Sequence, residues 1–365
     1  MLNICIMVGA RPNFVKVAPI VWAVNKAREE GEAVDYTLVY AGCEDDKTLE
    51  PSLFSDLQIP RPGVFLGVDC ASLNELTGRV MAEFELYLER NRTDVVIVVD
   101  DLASTMAAAI VTKKRGVKLA HLVAGTRSFD MGMPKEVNRL VIDGLSDYLF
   151  TAGIGANSIV TREGLEMAHI YMVGNILMDT LRHNYSRLSC PAVWQDLRLE
   201  KGGYILFTLN RKALIDRKDN LKRMVEGMCL AAGDMPVVAP LRGLAAETVK
   251  SLSLGCRNLH VVEPLSYLEF GYLAANACGI VTDSGNVAEE ATFNSVPCAT
   301  LNSYTEHIET VKIGSNVLVD EDATALSEAV SSMVAKRWKK SSLPERWDGR
   351  TAERILRILE DGCGN

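Results

Sequence analysis

Two adjacent carboxylates, Asp100 and Asp101, close the apolar run in "VVDDLAST" (98–105). Side by side at a strand-to-helix turn, they suit a general base or an acceptor for sugar hydroxyls. An aspartate in that place is also an ordinary helix N-cap, and the pair reads equally well that way. Further on, "PKEVNR" (134–139) opens a helix, with Pro134 at its start. Glu136 complements the positive end of the helix dipole. Lys135 opposes it, so Lys135 points either at an anion or at solvent. Arg139 stands one turn from Lys135 on the same face, and Arg127 is close in sequence. His121 sits in an apolar strand and reads as a satisfied core residue. No Ser-His-Asp or metal-ligand spacing stands out.

Two further stretches suit an anion. "VGARPNFVKVAP" (8–19) follows an apolar run. Gly9 permits a tight turn, and Pro12 fits a first helical turn. Free amides at the helix start attract negative charge, to which Arg11 and Lys16 add. "IVTDSGNVAEEATF" (280–293) repeats the arrangement. Ser284-Gly285 offers a hydroxyl, an approachable backbone and a helix start, which suit a diphosphate. Glu290 suits a ribose diol, as acidic residues do in dinucleotide folds. Favourable charge near a helix start accounts for Glu289 or Glu290 equally well.

These residues hang on an alternation of short apolar runs and longer helical patterns. "NICIMVGA", "YTLVYAG", "VVIVVD", "KLAHLVAG" and "YLFTAG" form one series. "YILFTL", "PVVAPL", "LHVVEP", "GIVTDSG" and "PCATLN" form a second. Near-continuous apolar strands between helices predict parallel sheets covered on both faces. The fold class is therefore α/β: two Rossmann-like, doubly wound domains facing a cleft. Ligands bind such sheets at the carboxyl ends of their strands, so the two would share a ligand. The pattern places the first domain at 1–174, with a final helix in 350–365 packing back on it, and the second at 175–349.

The chain has 365 residues, 48% hydrophobic and 24% charged, with net charge −8. That balance fits a globular protein and argues against nucleic acid or an anionic membrane as partner. No apolar run approaches the ~20 residues that span a bilayer. "NICIMVGA" is too short for a signal segment, so the protein reads as cytoplasmic. Nine cysteines are scattered without a C-x-x-C pair beside histidine, which predicts reduced, mostly buried thiols and no metal.

Taken together, several motifs resemble the non-hydrolysing UDP-N-acetylglucosamine 2-epimerase family, over about residues 3 to 360. "GARPNFVK" is similar to the family start G-[TA]-R-P-[EN]-x-x-x-K, with Lys16 one place closer. "AHLVAGTRSFDMGMPKEVNR" resembles A-H-V-E-A-G-x-R-S-F-D-x-x-M-P-E-E-x-N-R. "DGLSDYLFTAGIGANSIVTREG", "VGNILMDTL", "EPLSYLEF" and "TDSGNVAEEATFNSVPCATL" resemble further family segments in the family's order. The resemblance implies a GT-B-like fold, a homodimer, and no metal or nicotinamide cofactor. It implies a UDP-sugar, UDP-GlcNAc or a relative, as ligand. Arg11, Ser284 and Gly285 would hold the diphosphate, Glu290 the ribose, and Phe270 the uracil side. Asp101, Arg127, Asn138 and Arg139 would line the sugar region. Lys16, Asn210, Arg211, Asn286 and His307 fall at further substrate positions of the pattern.

The chemical half of the pattern is changed. The family reaction, as the resemblance implies it, removes the C2 proton while UDP leaves C1, then re-adds both on the other face. Val123 and Lys135 stand where the family has glutamates, and Asn210 stands at its histidine. Asn286 replaces a glycine, His307 replaces an arginine, and an H-P-R segment is lost in "APLRGL". Losing one acid–base group typically costs ~10²–10⁴-fold, and several losses need not multiply. Asp101 and Lys135 are the remaining proton-transfer candidates. For Lys135 this requires a lowered pKa, which Arg127 and Arg139 would supply by repulsion. The expectation is a divergent family member with altered or lost C2 epimerisation. Alternatives are a non-catalytic nucleotide-sugar-binding pseudoenzyme, a partner subunit of an intact paralogue, and a GT-B-type glycosyltransferase.

Overall fold

The apolar runs become strands because helices cover them on both faces. In the computed structural model, which describes residues 1–252 and 254–363, all five residues of "VVIVV" are buried. The first sheet holds β1 (Leu2–Val8), β2 (Val34–Tyr40), β3 (Val64–Phe65), β4 (Val95–Val99), β5 (Lys118–Ala124), β6 (Tyr148–Thr151) and β7 (Ile170–Met172). The second holds β8 (Ile205–Phe207), β9 (Val237–Pro240), β10 (Leu259–Val262), β11 (Gly279–Thr282), β12 (Cys298–Thr300) and β13 (Asn316–Leu318). Every described strand pair is parallel. β3, β7 and β13 were not marked by the apolar pattern. They are edge strands of two or three residues, mostly half-buried, too short to show a run.

The strand orders are β3-β2-β1-β4-β5-β6-β7 and β10-β9-β8-β11-β12-β13. Each sheet therefore reverses its winding once, between β1 and β4 and between β8 and β11. A crevice opens at such a switch point, at the carboxyl ends of the strands. "GARP" and "DD" flank the first switch point, and "LNRK" and "DSG" flank the second.

Helices are placed by their apolar spacing and their caps. In Leu73–Arg90 the buried residues Val80, Phe84, Tyr87 and Leu88 fall on one stripe. Ser72 accepts the Glu75 amide at the start of this helix. In Tyr267–Asn276, Ser266 and Glu269 form a reciprocal capping box at 3.3 and 3.0 Å.

The helix Arg11–Glu29 carries Pro19 in its interior. Proline has no amide hydrogen, so the Val15 carbonyl, four residues back, loses its helical donor. The Thr180 hydroxyl donates to that carbonyl at 2.6 Å. The defect in one helix is thus repaired by the helix Ile176–Asn184.

The chain divides into two units, Met1–His183 with the segment from Glu345, and Asn184–Pro344. The first unit runs past 174 because of that Thr180 contact and because of Asp179. The Asp179 carboxylate accepts the amides of Thr351 and Ala352 at 3.1 and 2.8 Å, capping the helix Thr351–Cys363. Burial pushes the Asp179 carboxyl up to about 6, against those two amides. Trp347, 1% exposed, donates to the Ala152 carbonyl, and the helix Thr351–Cys363 packs against Arg11–Glu29.

Candidate functional site

At the first unit's switch point, the β1 turn is drawn tight by Asn13, whose side-chain oxygen accepts the amides of Gly9 and Ala10. Gly9 is not in a left-handed conformation. Its need for glycine is space, since a Cβ there would run into the Ser104 hydroxyl. Arg11 begins the helix and is half-buried. Lys16 was expected to add charge for an anion. It is 7% exposed and its ammonium lies 2.6 Å from Asp100 Oδ1. Asn13 Nδ2 donates to the other Asp100 oxygen at 2.9 Å. Burial works against the Asp100 carboxylate, but Lys16 overcomes it and holds the carboxyl below its ordinary range.

Asp101 faces a second set of cations. Arg139 donates to Asp101 Oδ2 through Nε at 2.9 Å and through a terminal nitrogen at 2.5 Å. Lys135 Nζ lies 3.2 Å from Asp101 Oδ1. Neither aspartate is an N-cap: Leu102 occupies that position for the helix Ala103–Lys114. Asn138 Nδ2 donates to the Asp101 carbonyl at 2.8 Å. Lys135, 55% exposed along its side chain, therefore neighbours a carboxylate, and Arg127 points elsewhere. The repulsive environment expected of Arg127 and Arg139 around Lys135 is replaced by attraction.

Arg127, expected along a sugar region, is 4% exposed and fully engaged within its own unit. Its guanidinium reaches Glu163 through two bonds of 2.9 and 2.6 Å, Asp143 at 2.7 Å and the Thr126 carbonyl at 2.7 Å. Such a two-pronged pair suits arginine's planar fork. Asp143 also accepts His121 Nδ1 at 2.6 Å and the Gly125 amide at 3.1 Å. Burial opposes the Asp143 carboxylate, and His121 and Arg127 outweigh it, holding the carboxyl low. His121 Nε2 meets the Asp100 carbonyl at 2.9 Å, so both ring nitrogens face oxygens. As expected of a core histidine, it is satisfied; it also ties Asp100 to Asp143.

Sequence reasoning missed the roles of Glu136, Asp143 and Glu163. Glu136 accepts the Ser128 amide and hydroxyl, the Phe129 amide and an Arg139 nitrogen at 2.8 to 3.1 Å. It thereby fixes the 126–133 loop rather than merely complementing a helix dipole. A signal existed: Glu136, Arg139 and Asp143 fall at i, i+3 and i+7 of one helix, a charged stripe that is buried. Glu163, at the far end of the next helix, carried no such signal.

Three residues at this switch point hold left-handed backbones: Asp100 (φ 59°), Val123 (φ 71°) and Phe129 (φ 59°). The register between β5 and β6 shifts at Val123, a bulge that re-aims its side chain. A β-branched residue with positive φ is strained, and such strain gathers at functional sites. Gly125 follows at φ 77°, where a Cβ would meet the Ala156 carbonyl at 2.6 Å.

At the second unit's switch point, Asp283 Oδ2 accepts the amides of Asn210 and Arg211 at 2.7 and 2.5 Å, joining the turns after β8 and β11. Ser284 is the N-cap residue of the helix Gly285–Asn294 with its hydroxyl uncommitted to capping. Its amide donates to Thr282 Oγ1 at 3.0 Å. Gly285 is exposed with open space around it, and Asn286 is half-buried. Free amides at a helix start suit an anion. Phe270 is half-buried against the apolar cluster that includes Leu273 and Ala288.

Arg211, expected to face a ligand, reaches Glu321 at 2.8 Å, Asn302 at 3.1 Å and the Leu301 carbonyl at 2.9 Å. Asn210 is exposed. His307 is 4% exposed, with Nε2 3.6 Å from Glu289. Glu290 is 7% exposed, and burial together with Glu289 pushes its carboxyl up to about 8. The Tyr267 hydroxyl, close enough to feel Glu290, is buried without a hydrogen-bond partner among the described residues.

Among the described residues no cluster of three or more metal-binding side chains occurs, and no helix is long and apolar enough to cross a membrane. A family model described as UDP-N-acetylglucosamine 2-epimerase matches residues 26–360. The UDP-N-acetylglucosamine 2-epimerase of Methanocaldococcus jannaschii is 33% identical, the alignment covering 99% of this chain and 100% of that protein. The UDP-2,3-diacetamido-2,3-dideoxy-D-glucuronate 2-epimerase of Pseudomonas aeruginosa is 32% identical, over 92% and 93%. A crystal structure of the M. jannaschii epimerase in complex with UDP-GlcNAc and UDP superposes with TM-score 0.85 at 32% identity, covering 99% of this chain and 100% of that one. The paired doubly wound sheets are those of GT-B-like proteins. By sequence and by fold, the chain belongs to the UDP-N-acetylglucosamine 2-epimerase family.

Proposed function

We propose that this protein binds a UDP-sugar and that its C2 epimerisation is altered or lost. The ligand class follows from the relatives, which act on UDP-linked amino sugars. Diphosphate recognition falls to Arg11, Ser284 and Gly285, and ribose recognition to Glu290. A protonated Glu290 donates one hydrogen bond to a ribose hydroxyl and accepts another.

The observation that carries the reading is the state of Asp101. Both its oxygens face cations, Arg139 on one and Lys135 on the other. Both oxygens of the one carboxylate left for proton transfer are thus committed to ion pairs. Val123 provides no second carboxylate.

Incubation with UDP-GlcNAc in heavy water, followed by NMR at C2, tests this directly. We expect no deuterium at C2, or slow incorporation that disappears in Asp101→Asn. UDP binding by calorimetry should persist in the wild type and fall in Ser284→Ala. Exchange at a rate typical of enzymes, ~10 turnovers per second, overturns the altered chemistry. Absent UDP binding overturns the ligand.

A further inference from the structure

The described cavity of the second unit, about 760 Å³, does not lie at its switch point. It opens at the opposite rim, beside Pro236 before β9 and Asn258 before β10. Two cysteines line it. Cys229 belongs to the helix Lys218–Ala232, and Cys256 to the connection leading into β10. The Cys229 thiol is close enough to feel Cys256, and Cys256 packs against the apolar cluster to which Cys229 belongs.

The backbone that carries them is clamped. Asn258 Nδ2 reaches the carbonyls of Cys229, Gly233 and Met235 at 3.0, 3.0 and 3.1 Å. One side chain thus ties the Cys256 segment to the end of the Cys229 helix. That tie keeps both cysteines on the wall of the same cavity.

They are not equivalent. Cys229 is 4% exposed, and burial, the Cys256 contact and Glu226 all push its thiol up. Cys256 is partly exposed at the cavity. Cys256 is the sulfur that an oxidant entering from solvent meets first.

We propose that Cys229 and Cys256 form a redox-active dithiol, which a peroxide closes to a disulfide across the rim of the second unit. Cys256 attacks one peroxide oxygen, the O–O bond breaks, and a sulfenic acid and water form. Cys229 then attacks the Cys256 sulfur, an S–S bond forms and a second water leaves. Two thiols and one hydrogen peroxide thereby become one disulfide and two waters. A low-molecular-weight dithiol reverses the change by exchange. Closure fixes the chain between the two cysteines, including β9, and constrains the unfolded state. The inference is independent of what the switch-point residues bind.

The test uses the full-length protein with hydrogen peroxide, quenched by a thiol alkylator and read by peptide mass spectrometry. The expected product is a Cys229–Cys256 cross-linked peptide lighter by two hydrogens, abolished by dithiothreitol. Cys229→Ser should stop at a Cys256 sulfenic acid, trapped by dimedone. Cys256→Ser should leave Cys229 reduced. Oxidised wild type should melt several degrees above its reduced form, a difference absent in both variants. Independent alkylation of both cysteines after peroxide overturns the proposal, as does a disulfide to any other cysteine. Because the wild type alone gives the cross-link result, misfolding of a variant leaves the test intact.

Discussion

Lys135 Nζ sits 3.2 Å from Asp101 Oδ1, opposite the oxygen that Arg139 holds. The family pattern implies a carboxylate at position 135, where this chain has a cation paired with Asp101. The change is local. Arg139, Asn138 and Glu136 keep a closed hydrogen-bond network around it.

Returning both carboxylates should restore chemistry if the rest of the frame is sound. Val123→Glu combined with Lys135→Glu is expected to raise C2 deuterium exchange on UDP-GlcNAc by ~10²-fold or more over wild type, the usual worth of an acid–base group. Each single variant should gain less. An unchanged exchange rate in the double variant would overturn the idea that these two positions limit the chemistry. Lys135→Ala by itself should alter folding stability by under ~1 kcal/mol in urea titration, since the lysine is half exposed.

Val123 holds φ 71° inside a strand. A β-branched residue there costs on the order of 1–2 kcal/mol, and asparagine tolerates the same conformation better. Val123→Asn should therefore stabilise the protein by ~1 kcal/mol, seen as a raised urea midpoint with unchanged slope. A destabilised variant would show that packing of the valine outweighs its backbone strain.

Thr180 completes the helix that Pro19 interrupts. Thr180→Val keeps shape and removes the donor, leaving the Val15 carbonyl without it. The expected cost is ~1–3 kcal/mol. Restoring an amide donor with Pro19→Ala should recover most of it, a coupling that a double-mutant cycle in chemical denaturation measures. Additive losses would refute the repair.

Glu290 titrates near pH 8 when folded, against 4.5 as its ordinary value. The folded state keeps a proton that the unfolded chain releases. Stability from this group is complete below pH 4.5 and is lost as pH rises through 8, at up to ~1.4 kcal/mol per pH unit between. Glu290→Gln never ionises, so its stability between pH 5 and 9 should fall less steeply than that of the wild type. Equal slopes would place the titration outside this window.

Much of this was legible from residue order. Apolar runs gave the long strands, the "GARP", "DD" and "DSG" turns fell at the two winding reversals, and the motifs pointed to the family. The side-chain partners were not legible. Lys16, Arg127 and Arg211 read as ligand-facing because a cation in a loop near a helix start is free as far as sequence tells. Their carboxylate partners, Asp100, Glu163 and Glu321, lie 36 to 110 residues away. Only closure of the sheets brings such pairs together. The strain at Val123 was equally hidden, because valine inside an apolar run looks like an ordinary strand residue.

The helix Thr351–Cys363 is capped by Asp179 and belongs to the first unit, while residues 184–344 form the second. In the order of synthesis, the first unit is therefore an open parenthesis. Its sheet can assemble early, but its final covering helix emerges only after the whole of the second unit has been made. During that interval the faces that will receive Trp347 and the capped helix stay open to solvent and to other chains. A nascent chain stalled before 345 should thus be more dependent on chaperones than its size suggests.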